Sequence, residues 1–285
     1  LDAYPAVLGD VLNLFELSPY FSEQLVRRFE FLSELMAMRN PVETHLPYTD
    51  LVSVLEEPAD LRTFYHRELF RILAESLNLD RPIFDTLHRC SELADAAIQT
   101  TYRIAIADTL AKQSPASPRY EPRDQMMVIA MGRLGMLEFD LGSDADLLFV
   151  LSPRDAEEIP FWRAVAQRMI NLLSSYTADG IIFAVDTRLR PDGSSGSLVQ
   201  TEESYRGYFE SRAEAWEGLA FMKSRAVAGD ARLSEHFLGE IQQSVWRRYG
   251  QSERSRLELA AMRARLEQEQ GGENPLKSGR GGFYD

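Results

Sequence analysis

Met126-Met127-Val128-Ile129-Ala130-Met131-Gly132 and, after a spacer, Gly142-Ser143-Asp144-Ala145-Asp146-Leu147-Leu148-Phe149-Val150-Leu151 decide the fold. Both apolar runs have strand length, and turn chemistry closes each: Gly132 after the first, Ser152-Pro153 after the second. Along a strand, residues i and i+2 share a face, so Asp144 and Asp146 project side by side. Two carboxylates so placed repel unless a cation sits between them. Hard oxygen ligands suit Mg²⁺, which commonly takes one or two carboxylates plus substrate phosphate oxygens. Taken alone, an Asp-x-Asp near a turn marks a solvated loop more often than a metal site. Here Gly132 ends the preceding strand, and Gly135 and Gly142 let backbone come close to whatever the aspartates hold.

Working outward, Glu157 to Tyr176 has the spacing of an amphipathic helix, and Ile181 to Leu189 reads as a third strand stopped by Pro191-Asp192-Gly193. Alternation on that strand puts Asp186, Arg188 and Arg190 on one face. A lone Asp there is more often an edge charge and the arginines a solvated stripe, but a sheet face opposite an Asp pair shifts the balance. Asp186 then supplies a third carboxylate for a two-metal site. Arg188 and Arg190 match phosphate oxygens with paired N–H groups. The chain up to about Gln113 reads as helical, notably Phe21 to Met38, Leu61 to Leu77 and Phe84 to Leu110, and Ser114 to Asp124 reads as a linker. Beyond Thr201 helices are expected over Glu202 to Met222, Ala231 to Tyr249 and Glu253 to Gln270, stopping at Gly271-Gly272. The expected fold class is α+β. A small mixed sheet at 114–200 is flanked by helical regions at 1–113 and 201–285.

The sequence has 285 residues, a net charge of -13, four histidines and one cysteine, Cys90. An acidic balance argues against gripping a nucleic-acid backbone and favours a nucleotide or a protein partner. A Cys/His zinc site is not expected, and His66 and His236, on charged helices, call for no special role. No run approaches the roughly 18 apolar residues of a membrane span. Leu1 to Asp10 lacks the basic start and apolar stretch of a leader. With a single cysteine, a cytoplasmic setting is expected. Leu1 in place of an initiator methionine suggests a piece of a longer chain.

Gly132 followed by Gly142-Ser143-Asp144-x-Asp146 resembles the signature of the DNA polymerase β-type nucleotidyltransferase superfamily, whose members usually carry Ser or Gly where this chain has Arg133. A nearer resemblance runs through Met131-Gly132-Arg133-Leu134-Gly135, Thr177-Ala178-Asp179-Gly180, Val185-Asp186-Thr187-Arg188-Leu189-Arg190-Pro191-Asp192-Gly193, Ser195-Gly196 and Arg225-Ala226-Val227-Ala228-Gly229-Asp230. In that order they look like one catalytic half of bacterial bifunctional glutamine synthetase adenylyltransferase/adenylyl-removing enzymes. Family members usually have Gly-Gly at Gly135-Met136. The terminal Lys277-Ser278-Gly279-Arg280-Gly281-Gly282 and Asp285 resemble the start of a further family motif.

The resemblance implies a nucleotidyltransferase core using two Mg²⁺ ions and ATP. It implies that Asp144, Asp146 and Asp186 are catalytic and metal-binding, with Gly132, Gly142, Ser143, Arg188 and Arg190 toward the nucleotide. Lys223 and Arg225 are candidate phosphate contacts, with a plain helix surface as the even alternative. The implied acceptor is a tyrosine of glutamine synthetase, with a PII-type signal protein as a further partner. Gly142 before Ser143 looks like the adenylylating half, whereas Lys223 and the glycine-rich tail look like the deadenylylating one. A non-catalytic regulatory module, or a nucleotidyltransferase acting on a small molecule or RNA end, is the rival reading.

Overall fold

In the computed structural model, residues 5–39, 46–270, 272, 273, 275, 279 and 280 are described. Helices α1 (Pro5–Leu17), α2 (Pro19–Arg27), α3 (Leu32–Met38), α4 (Tyr48–Val52), α5 (Pro58–Asn78) and α6 (Ile83–Leu110) come first. There follow β1 (Met126–Ala130), α7 (Gly132–Gly135), β2 (Ala145–Leu151), α8 (Ile159–Ser174), β3 (Val185–Asp186) and β4 (Val199–Thr201). The chain continues through α9 (Glu202–Ser211), α10 (Ala215–Met222), β5 (Arg225–Ala228), α11 (Ala231–Val245) and α12 (Glu253–Gln270). The architecture is α+β, with helices before and after a small mixed sheet.

The strand order is β3-β2-β1-β5, with β4 also pairing with β2. β1 runs antiparallel to β2 and to β5, whereas β3 and β4 run parallel to β2. β3 and β4 share one edge of β2: Val185 and Asp186 lie beside Ala145 and Asp146, and Val199 to Thr201 beside Phe149 to Leu151. Residues 187–198 leave the sheet between them.

The unbroken apolar texture of β1 and β2 follows from cover on both faces. Met126, Val128, Ala130, Leu147, Phe149 and Leu151 join a core built with α5, α6 and α8, including Tyr65, Ile98, Trp162 and Met169. The alternate residues Met127, Ile129, Met131, Leu148 and Val150 face Tyr205, Phe209, Phe221, Phe237 and Ile241 from α9, α10 and α11. A third cluster packs α1, α2 and α3 against Phe70 and Ala74 of α5. Among the described residues no helix is long and apolar enough to cross a membrane.

Several expected elements differ. Phe21 to Met38 breaks at Arg28, whose backbone leaves the helical region (φ -136°) while its guanidinium reaches the Asp179 carbonyl. Glu202 to Met222 splits around Arg212 to Glu214, where a capping box between Glu214 and Glu217 restarts the chain as α10. β4 and β5 were not expected as strands, and the sheet takes β5 from within the C-terminal helical region. The stretch 114–124 is tied down: the buried Glu158 carboxylate accepts the backbone N–H groups of Ala116 and Ser117, both at 2.8 Å. The stop at Gly271 lies outside the described residues.

Glu158→Ala leaves those two N–H groups without their carboxylate and is expected to cost about 1–3 kcal/mol, read as a lower denaturant midpoint with an unchanged slope.

Candidate active site

The site forms where β2 begins. Gly142 (φ +80°) turns the chain, and the Ala145 N–H closes on the Ala184 carbonyl at 2.8 Å, setting the parallel register that places Asp146 opposite Asp186. On neighbouring strands, spaced about 4.8 Å apart, register partners share a face. From the other side, the Met131 N–H donates to the Asp146 carbonyl at 2.9 Å, and the next residue is Gly132 at φ +54°. A Cβ there would fall 2.5 Å from Oδ2 of Asp146. Glycine is thus required both for the backbone conformation and for the carboxylate's approach. Asp144, two residues ahead of Asp146, is exposed at the strand's mouth.

Beyond Asp186 the chain bends instead of extending. Its Oδ1 accepts the Arg188 backbone N–H at 2.8 Å, and Arg188 Nε donates to Oδ1 at 3.0 Å and to Oδ2 at 2.7 Å. This side-chain-to-backbone closure competes with strand extension. The expected strand Ile181 to Leu189 is therefore reduced to Val185–Asp186, and Arg188 and Arg190 form no in-phase stripe. Arg190 holds its own loop: Nε donates to the Gly196 carbonyl at 3.1 Å, one terminal nitrogen to the Thr187 carbonyl at 2.6 Å, and the other to the Ser194 carbonyl at 3.1 Å. The Arg188 guanidinium, 78% exposed, holds the Asp186 carboxyl below the usual carboxylate range and also feels the charges of Asp146 and Asp144.

These carboxylates are the right donor type for Mg²⁺. They are not gathered as ligands: among the described residues no group of three or more His, Cys, Asp or Glu is close enough to hold a metal. Asp186 is turned onto Arg188 instead.

The remaining candidates divide. The Ser143 hydroxyl donates to Asp140, which also pairs with Arg133 at 2.9 Å. Arg133, at the position that departs from the superfamily pattern, thereby joins the glycine turn to the loop bearing Ser143. Lys223 is exposed, and its carbonyl packs onto Gly135 so closely that a Cβ there would lie 1.9 Å away. Its place is the end of α10, beside the glycine turn. Arg225 sits on β5, not on a helix. It pairs with both Asp95 oxygens at 2.7 and 2.8 Å and donates to the Leu134 carbonyl, so its guanidinium braces α6 against the turn.

Sequence reasoning missed a groove of about 810 Å³ that opens at Asp144 between α2, α5 and the loop 176–184. His66 lines it under Gly180, whose added Cβ would lie 3.0 Å from Nε2. Only the tertiary docking of α5 on that loop gives His66 this place; its helical context carried no signal.

Residues 8–240 match the glutamate-ammonia ligase adenylyltransferase family, and the chain belongs to that family. Along its whole length it is 32% identical to a bifunctional glutamine synthetase adenylyltransferase/adenylyl-removing enzyme of Xanthomonas campestris pv. campestris, over 307 aligned residues. The enzymes of that name from Pseudomonas aeruginosa and Nitrosococcus oceani are 32% and 31% identical, again over 100% of the chain. The chain spans about a third of these relatives, 31% to 32% of their length.

Burial, then the charge of Arg28, lowers the His66 pKa to about 4; Arg62 acts in the same sense and Asp179 against it. An unfolded histidine titrates near 6.5, so between those values the unfolded chain binds a proton that the folded chain refuses. This contribution to stability is complete above about pH 6.5 and is lost as the pH falls toward 4. Denaturant midpoints are expected to fall less steeply between about pH 7 and 5 in His66→Gln than in the native chain. Gly132→Ala is expected to cost about 1–2 kcal/mol from backbone strain alone and to lower turnover by displacing Asp146.

Proposed function

We propose that this chain is a cytoplasmic adenylyl-transfer unit acting between ATP and a tyrosine of glutamine synthetase, and so regulates nitrogen assimilation. The observation that carries the reading is the cross-strand pair Asp146 and Asp186, set against Gly132 with Asp144 at the mouth. In the forward direction the tyrosine phenolic oxygen bonds to the α-phosphorus of ATP. The bond from that phosphorus to the bridging oxygen breaks, pyrophosphate leaves with the electron pair, and the phenolic proton passes to solvent. In the reverse direction an oxygen of inorganic phosphate attacks the adenylyl-tyrosine, the phosphorus–tyrosyl bond breaks, the tyrosine regains a proton and ADP is released.

Asp144, Asp146 and Asp186 would hold Mg²⁺ once the Asp186 carboxylate leaves Arg188. The chemistry such ions would supply there is neutralisation of the charge on the phosphate oxygens. A carboxylate held below its ordinary range by a guanidinium is a weak base, so Asp186 serves to orient the nucleophile more than to take its proton. Lys223 and the backbone of Gly132 face the polyphosphate in this reading, with Arg188 and the backbone of Gly142 and Ser143 toward the α-phosphate, where the groove meets the carboxylates. Arg190 and Arg225 contribute by bracing the loops that carry them. Phosphoryl-type transfer needs positioning and charge stabilisation rather than covalent help, which this set supplies.

We assign the forward direction on Gly142-Ser143. Lys223 beside the glycine turn favours the deadenylylating alternative; the tail Lys277 to Gly282, with Asp285, falls mostly outside the described residues. A PII-type protein is the proposed regulator, and a nucleic acid is not a proposed partner. The stretches 1–113, 114–200 and 201–285 are proposed as an N-terminal helical region, the nucleotidyltransferase core and a C-terminal helical region.

Incubation with glutamine synthetase, labelled ATP and Mg²⁺ is expected to label the synthetase. With adenylylated synthetase and phosphate, the deadenylylating reading expects ADP instead. No product in either assay overturns catalysis in favour of a regulatory module. Asp144→Asn is expected to cut turnover on the order of a hundredfold, the size of losing one electrostatic stabiliser; unchanged turnover removes Asp144 from the site.

A further inference from the structure

The carboxylates stand between two different flanks. Across this end of the sheet lie, in order, the loop 176–184 ahead of β3, the turn at Gly142 to Asp144 ahead of β2, the Gly132 turn after β1, and Lys223 ahead of β5. The β1 and β5 flank offers the glycine turn and an exposed ammonium group. The β3 flank offers the groove that opens at Asp144.

In phosphoryl-type transfer the attacking and leaving oxygens lie roughly in line, on opposite sides of the phosphorus. The leaving polyphosphate carries concentrated negative charge and belongs on the flank with the exposed lysine. The nucleophile must then arrive from the other side, along the groove. We propose that this groove seats the tyrosine-bearing segment of the protein substrate, an inference that rests on the adenylyl-transfer reading above.

The lining of the groove suits a polypeptide. At its rim Tyr176 is 81% exposed and Leu141 is 42% exposed, apolar side chains of the kind that anchor protein contacts. On its walls the Tyr20 hydroxyl is shielded from solvent and has no hydrogen-bond partner. Shielded polar groups without partners are costly. One wall is fixed in place where Arg28, at the end of α2, donates to the Asp179 carbonyl. The N-terminal helices are therefore the part of the molecule that selects the protein substrate.

The test measures the affinity of this chain for glutamine synthetase, and the KM values for synthetase and for ATP, in the native chain, Tyr176→Ala and Leu141→Ser. Both side chains are exposed, so both variants are expected to keep the native melting profile. The expected result is a loss of synthetase affinity and a rise in its KM, on the order of tenfold for Tyr176→Ala, with the KM for ATP unchanged. Native synthetase affinity in both variants overturns the proposal while leaving adenylyl transfer standing. A rise confined to the KM for ATP also overturns it, because the groove then holds the nucleotide. A native chain that neither binds synthetase nor moves an adenylyl group overturns the functional reading, and the groove assignment with it.

Discussion

The hydrogen bond from the Ala145 N–H to the Ala184 carbonyl fixes a parallel register in which everything at the site has its place. A one-residue slip would turn Asp186 to the opposite face of the sheet, and with it the only cross-strand partner that Asp146 has in β3. The antiparallel pairing of β1 closes the site from the other side. The Met131 N–H grips the Asp146 carbonyl, and Gly132 then lies directly beneath the carboxylate. Two short backbone bonds thus position an acidic side chain from both edges of its strand.

That precision depends on a sheet that does not yield. β1 and β2 are clamped between α5, α6 and α8 on one face and α9, α10 and α11 on the other, so the strands can shift only if both helical layers shift too. Arg225 extends the clamp, tying Asp95 of α6 to the Leu134 carbonyl of the glycine turn. A residue with the look of a phosphate ligand thus acts as a brace. Arg190 behaves alike within its own loop. Both arginines hold backbone in place and spend their guanidinium donors within the fold.

Sequence periodicity was most informative where one physical demand acted alone. The continuous apolar runs of β1 and β2 reflect burial on both faces, and the long helix over Ile83–Leu110 reflects a lateral apolar face with few breakers. The Asp-x-Asp and its glycines could be read because they are adjacent in sequence and each has a local reason. The third strand was overextended because alternation continues through Arg190, while the closure of Asp186 onto the Arg188 N–H takes the backbone out of the sheet. β5 escaped notice because four residues between helices carry no periodicity of their own; β1 supplies the reason they extend. The groove was invisible for a stronger reason. His66, Asp144 and Tyr176 are far apart along the chain, and only the packing of α5 on the loop before β3 brings them together.

The divided edge of β2 gives the catalytic loop an unusual freedom. β3 and β4 hold that edge at either end, so residues 187–198 form a tethered arc that begins and ends on the same rigid strand. Substitutions or changes of length beyond Arg188 leave the backbone register of Asp186 untouched, since that register is set upstream of the arc. Selection can therefore reshape what flanks the carboxylates without reopening the question of how the sheet folds.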